Sequence, residues 1–373
     1  MARTTAKRSL KRLALLLIAF LVIDHVVLPQ LAGARHAVDV LGDVKVGWLV
    51  AGLLLEILSI VAFARLTWTL LPPGSRPSMP TAVRITLSTL GLSHVVPGGT
   101  AAGTSLGYKL LTNAGASGTE AGFAIATQGL GSALVLNVLL WLGLMWSIPA
   151  RGFDPLYGTA AILGGLVLAT AGVAVLLATR GEDRVVQISC RLAGHLPFVD
   201  ENGVADILRR VAEQLRELLR QPRLLMRATG WAAANWLLDM AALAVFLRAF
   251  GATVPVDGLL VSYGVAFVLA AIPLTPGGLG VVEATLTAGL VGFGVPRAQA
   301  LVGVVAYRVA NFWLPIPAGA AAYLALKVTD RRDRKRALQE LASGALIEAP
   351  TTRQWAERHG VRRRHAERPE TTP

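Results

Sequence analysis

The chain has 373 residues, 54% hydrophobic and only 16% charged. That balance excludes an ordinary soluble domain, so length here counts membrane helices. Lys and Arg number 36 against 23 Asp and Glu, a net charge of +13. The basic residues gather beside apolar runs, which fits positive-inside topology and attraction to anionic lipid rather than nucleic-acid binding.

Arg3, Lys7, Arg8, Lys11 and Arg12 make residues 1–12 a basic segment. It precedes an apolar run, 13–31, with Asp24 and His25 toward the far end. No small-residue cleavage site follows convincingly, so the run reads as a retained first span. A second span covers 46–70 with Glu56 in its middle, and a Pro/Gly-rich turn follows at 71–77. Residues 82–111 are apolar but broken at His94-Val95-Val96-Pro97-Gly98-Gly99. Further spans are expected at 121–148 and 156–178. Residues 180–223 form the long polar interior connector. Within it Ile207, Leu208, Val211, Leu215, Leu218 and Leu219 recur at helical spacing, marking an amphipathic helix.

The second half opens with a span at 224–250, containing Arg227 and Asp239. Residues 258–291 follow, interrupted by Ile272-Pro273-Leu274-Thr275-Pro276-Gly277-Gly278-Leu279-Gly280, with Glu283 just beyond. Prolines and glycines at this density break a helix. Freed backbone at membrane depth survives only where protein buries it or it lines a wet cavity. The last span, 298–326, holds Arg308, Asn311 and Pro315. Residues 327–373 form a basic tail, with a short helix expected at 333–346 and disorder beyond. Cys190 is the single cysteine, which excludes an internal disulfide. No Cys/His cluster has metal spacing, and no cofactor is expected.

The two halves resemble each other. Pro97-Gly98-Gly99 and Pro276-Gly277-Gly278 stand 179 residues apart, and the same offset carries Gly115 to Gly294 and Ala121 to Ala300. Upstream, an offset of 183 carries Gly47-Trp48 to Gly230-Trp231 and Leu54-Leu55-Glu56 to Leu237-Leu238-Asp239. One short gap reconciles the offsets, so an internal repeat is expected over about 45–148 and 224–326. With both termini and the 180–223 connector in the cytoplasm, the first Pro-Gly-Gly segment begins and ends inside and the second outside. The expected fold is therefore an all-α polytopic membrane protein. It has about six full spans, two broken or re-entrant segments and inverted repeats, which is a transporter plan.

Glu283 is the leading candidate residue. It would bind a cationic head group or a proton; equally, it would pair with Arg308 or cap the second half-helix. Arg308 is too deep to snorkel easily, which leaves a pair with Glu283 or a lipid phosphate. Glu56 and Asp239 occupy equivalent spans and would carry protons or cations, or serve as packing partners. Lys109 reads mainly as a snorkelling residue, His94 as a satisfied polar group and Asp24-His25 as an interfacial pair. Trp68, Trp141, Trp146 and Trp313 fit interface belts or packing. Gly98, Gly99, Gly277 and Gly278 give tight backbone geometry and amides able to face a phosphate. No Walker-type phosphate loop, nucleophile elbow or His-Glu-x-x-His pattern is present, so neither ATP drive nor an enzyme is expected.

Pro276-Gly277-Gly278-Leu279-Gly280-Val281-Val282-Glu283, with Val305-Ala306-Tyr307-Arg308, Phe312-Trp313-Leu314-Pro315 and Gly319 downstream, resembles the lysylphosphatidylglycerol synthase transmembrane (flippase-like) family. This is the membrane half of the bacterial multiple peptide resistance factor, found also as stand-alone proteins. The resemblance covers about residues 13–326. It implies a multi-pass inner-membrane protein that moves phospholipid or lipid-linked head groups between leaflets. Its motif residues fall on Pro276, Gly277, Gly278, Gly280, Glu283 and Arg308, with Tyr307 and Asn311 alongside.

The first break departs from the family pattern. The family often has a Gly-Glu pair and a later Arg there; this chain has Pro97-Gly98-Gly99-Thr100-Ala101-Ala102-Gly103, then Lys109, and no acid. Only 47 residues follow Leu326, so the chain is not expected to synthesise lysyl lipid itself. The expected partners are membrane phospholipid, anionic at the basic termini, and a second copy or a separate synthase. The alternatives are a proton-coupled transporter of a small or isoprenoid-linked solute, a membrane enzyme, or a scaffold.

Overall fold

A computed structural model describes residues 44–96, 98–151, 165, 220–271 and 275–329. The basic segment 1–12, the spans expected at 13–31 and 156–178, the helix expected at 204–219, the tail from 330, Asp24, His25, Pro97 and Cys190 lie outside the described residues. The chain divides into two compact units, Met1–Tyr323 and Leu324–Pro373. The first holds the helices that position the site; the second contributes the helical residues 324–329.

The described residues are all-helical. Helix α1 is Val46–Leu70, α2 Met79–Val95, α3 Gly99–Asn113 and α4 Gly118–Arg151. In the second half α5 is Pro222–Ala249, α6 Val256–Ala270, α7 Val281–Gly292 and α8 Arg297–Arg308. Helix α8 runs on through a π-helical segment, Val309–Trp313, so that Arg297–Thr329 forms one apolar stretch of 33 residues. Among the described residues four helical stretches are long and apolar enough to cross a membrane: α1, Gly118–Ser147 of α4, α5 and Arg297–Thr329. Helices α2, α3, α6 and α7 have 17, 15, 15 and 12 residues. At 1.5 Å per residue each is about 18–26 Å long, short of a ~30 Å hydrocarbon layer. They pack as two hairpins, α2 on α3 and α6 on α7.

The faces of α1 show the environment for which the sequence is built. Val50, Leu53, Leu54, Ile57 and Leu58 are exposed, whereas Gly52, Glu56, Ser59 and Ala62 are buried. Large apolar side chains outside and small or polar ones inside is the arrangement of a helix that faces lipid and associates through close backbone approach. The buried side of α5 continues the pattern with Ala228, Ala232, Asp239 and Ala242.

Helices α1 and α5 pack along their whole lengths. The Lys45 amide donates to the Ala249 carbonyl at 3.2 Å. Midway, Ser59 Oγ donates to the Asn235 carbonyl at 3.1 Å, and Asn235 Nδ2 donates back to Ser59. Toward the other end the Arg65 guanidinium lies over Trp231. The two helices therefore run antiparallel.

The remaining contacts fall into matching sets. Helix α4 crosses α6 where Gly143 meets Leu260 and Val261, and Gly264 meets Leu140. Helix α2 crosses the end of α8 where Gly91 meets Pro315 and Gly319, and Gly319 meets Leu87. Both crossings are antiparallel and close enough to require glycine. Helix α1 packs on α4 as α5 packs on α8, and α3 on α4 as α7 on α8. Each hairpin is followed by a turn on a left-handed glycine, Gly115 or Gly294. Leu140, Leu144, Leu243, Leu247, Val261, Leu286, Leu290 and Val304 fill the apolar interior between these helices.

Candidate functional site

The second break is written in backbone geometry. Gly277, Gly278 and Gly280 have φ of 57°, 69° and 81°, a region that L side chains enter only at a cost. Helix α7 then starts at Val281, and Glu283 is its third residue. The left-handed turn at Gly280 lets the helix begin at once, which sets Glu283 in its first turn. Its Oε2 accepts from the Gly280 amide at 2.7 Å, as in the acidic half of a capping box.

The other carboxylate oxygen of Glu283 accepts from Arg308 Nε at 2.6 Å. Arg308 Nη2 donates to the Gly277 carbonyl at 3.2 Å, and Nη1 faces Asn311 Oδ1 at 3.5 Å. One ion pair therefore clamps the start of α7 and the broken backbone to α8. Both residues are buried.

Asn311 connects this pair to a second cluster. Its Nδ2 donates to Asp239 Oδ1 and Oδ2 at 3.1 and 3.3 Å. Tyr307 Oη donates to Asp239 Oδ1 at 2.9 Å, and Tyr263 Oη to Oδ2 at 2.6 Å. Tyr263 is held by Phe267 and Trp236, with ring centroids 4.5 and 6.1 Å away, and Trp236 Nε1 is tied to Ser132 of α4. The Glu56 carboxyl, on α1, lies against Asp239 and Asn311 and is 2% exposed. Its Oε1 has no hydrogen-bond partner among the described residues.

The first break reaches the same place through Phe312. The Phe312 ring stacks on His94 at 4.5 Å and lies 4.5 Å from the Arg308 guanidinium carbon. A Cβ on Gly277 would collide with it. His94 Nδ1 donates to the Phe312 carbonyl at 3.0 Å, which places the imidazole proton on Nδ1. The π-helical segment makes this carbonyl reachable. Pro315 brings no amide to the Asn311 carbonyl, and its ring crowds that oxygen, so the helix widens just before it.

The network thus unites Glu283, Arg308, Gly277, Gly280, Tyr307, Asn311, Asp239 and Glu56. Pro276 opens the 3-10 turn Pro276–Gly278, and Gly278 is buried against Ala270 and Val282. Gly98 is exposed with φ of 67°. Gly99 already belongs to α3, packed on the Ser93 carbonyl, whereas Gly278 is left-handed. The second break is longer because Leu279 and Gly280 precede its helix. Lys109 is exposed on α3. Tyr263 and Phe312 were not singled out from sequence, and His94 was read as a satisfied polar group, which its bond to Phe312 makes it. A tyrosine in the otherwise apolar run 259–271 is the available signal for Tyr263.

These contacts give two alanine substitutions different outcomes. Both Gly98 and Gly277 are left-handed, but a Cβ on Gly98 meets nothing within 4 Å, while on Gly277 it enters the Phe312 ring. Gly98→Ala should lower stability by about 1 kcal/mol, and Gly277→Ala by about 2–4 kcal/mol, because overpacking adds to backbone strain. Thermal unfolding in a mild detergent separates them; equal losses would show that Phe312 yields freely.

An all-helical, multi-pass membrane protein with a charged network sealed inside its helices is the class defined by this architecture. The family model for the lysylphosphatidylglycerol synthase TM region matches residues 10–319, and the chain belongs to that family. No curated protein matches it.

Proposed function

We propose that the chain passes the polar head of a membrane lipid between leaflets while the acyl tails stay in the bilayer. The observation that carries this reading is the Glu283–Arg308 pair, anchored to the broken Pro276–Gly280 backbone in an apolar setting. Ionisable groups and non-helical backbone at membrane depth are costly, and they mark permeation or binding sites.

Depth supports the same reading. On α1, Trp48 and Trp68 are 20 residues apart, about 30 Å, the thickness of a hydrocarbon core. Each ring has an Arg over it, Arg248 for Trp48 and both Arg65 and Arg76 for Trp68, as suits interfacial anchors. Glu56 then lies about 12 Å from one ring level and about 18 Å from the other. The antiparallel α1 and α5, each opening a half with the same order of elements, support inverted repeats. The two short hairpins are then re-entrant and meet at Phe312. Such repeats with discontinuous helices suit alternating access.

A cleft of about 450 Å³ lined by Gln221, Pro222, Arg223, Leu224 and Arg227 lies at the start of α5. In this reading it faces anionic head groups on the cytoplasmic side of the inner membrane, with both termini on that side. The chain makes and breaks no covalent bonds.

Reconstitution tests the proposal. Phospholipids labelled on the head group should leave the outer leaflet of vesicles holding the protein faster than in protein-free vesicles. If labelled phospholipids stay in their leaflet under proton gradients of both signs, the reading fails.

A further inference from the structure

The charges in the network do not balance. Arg308 is committed to Glu283 and to the Gly277 carbonyl. Asp239 accepts four hydrogen-bond contacts from Tyr263, Tyr307 and Asn311, all uncharged donors. Two contacts on each oxygen fill its acceptor capacity. Glu56 sits against it, with Oε1 sealed from solvent and without a partner among the described residues. Among the described residues, the other titratable or charged groups turned toward the two carboxyls are Tyr263 of α6 and Tyr307 and Arg308 of α8; behind Arg308 is Glu283 of α7. With Arg308 and Glu283 neutral as a pair, two adjacent carboxyls are left without a cation of their own among the described residues.

Two bare carboxylates side by side in this setting would each carry a heavy desolvation cost and would repel one another. One proton removes most of both penalties. Asp239, saturated by donors, is the better anion. Glu56, with an unused oxygen, is the better acid.

We propose that Glu56 and Asp239 form a proton-binding pair that loads and releases a single proton, Glu56 carrying it, and so couples transport to a proton gradient. This rests on the head-group reading for its cargo. The step is a simple transfer: hydronium on one side gives its proton to the Glu56 carboxylate and becomes water, and the acid returns the proton to water on the other side. The pair lies where the antiparallel α1 and α5 meet, so both halves contribute one carboxyl. A change in the relative placement of the halves alters the surroundings of both.

Infrared difference spectra of the reconstituted full chain, recorded as pH is varied, read the proton without requiring transport. Wild type should show the carbonyl stretch of a protonated carboxylic acid that disappears at high pH. Glu56→Gln, isosteric with the protonated acid, should lack that band while retaining its thermal unfolding transition. Asp239→Asn should keep an acid band at Glu56 with altered pH dependence. A wild type without a titrating acid band, or a band that survives Glu56→Gln, overturns the proposal.

Labelled-phospholipid exchange in the same vesicles is the second arm. Wild type should respond to the sign of an imposed proton gradient, and Glu56→Gln should lose that response. A titrating Glu56 band in vesicles that move no phospholipid would defeat the head-group reading and leave the proton site standing. Exchange that ignores the gradient in wild type would defeat the coupling and leave the head-group reading standing.

Discussion

Arg308→Ala is expected to destabilise the protein by about 3–5 kcal/mol, one of the two largest effects of a single substitution in this network. Removing the guanidinium leaves the Glu283 carboxylate facing only the Gly280 amide, inside a closed interior. It also frees the Gly277 carbonyl from its 3.2 Å contact with Arg308. An intact buried pair contributes little net stability, because desolvation offsets most of its attraction; stranding one member is what costs. Arg308→Met combined with Glu283→Gln should therefore lose much less than Arg308→Ala alone. Denaturant unfolding of the single and double variants in one detergent tests this. Additive losses would show that the two side chains are not energetically linked.

Asp239→Ala should produce a loss of similar size by a different route. Interhelical hydrogen bonds in membranes average only about 0.6 kcal/mol each, so losing those from three donors would account for about 2 kcal/mol. Yet the Tyr263 and Tyr307 hydroxyls and the Asn311 amide would be left in a dry interior, each costing about 1–3 kcal/mol when unpaired. A total near 4–5 kcal/mol is expected. Asp239→Asn keeps a carbonyl acceptor and should fall between that variant and wild type. If the Ala and Asn variants unfold at the same temperature, stranded donors are not the cause.

Much of the helical layout was legible because membrane helices are long and local. The apolar run read at 46–70 is α1, Val46–Leu70, and the run read at 224–250 is α5, Pro222–Ala249. The breaks were legible because Pro and Gly act on their own backbone. Beside binding a head group or a proton, the sequence left Glu283 the structural reading of a pair with Arg308 or a cap on α7; Glu283 makes both of these contacts, one oxygen to each.

Tyr263 escaped notice because nothing in its own helix distinguishes it from a packing aromatic. Its hydroxyl finds Asp239 only because Gly264 lets α6 close on Leu140 of α4, a contact between residues far apart in the chain. Phe312 escaped for a related reason. It stood in the motif as an aromatic, but its place between His94, Gly277 and Arg308 depends on a π-helical turn. Lys109 was read mainly as a snorkelling residue, and it is exposed on α3.

The widened turn at Val309–Trp313 has a consequence for what the chain tolerates. Beyond it, Gly319 meets Leu87 and Gly91 at a crossing where only hydrogen fits. Deleting one residue between 309 and 313 would relax the turn to ordinary α-helix, and because the wide turn holds one residue more than an α-turn the later side chains would keep their faces. Deleting one residue at 316–318, where the helix has no such slack, would rotate every later side chain by about 100° about the helix axis. Gly319 would swing away from α2, and Ala320 would arrive in its place. Whether a lost residue is absorbed or transmitted thus depends on the turn it comes from, and the second kind of deletion acts at a distance, like a slipped tooth in a gear.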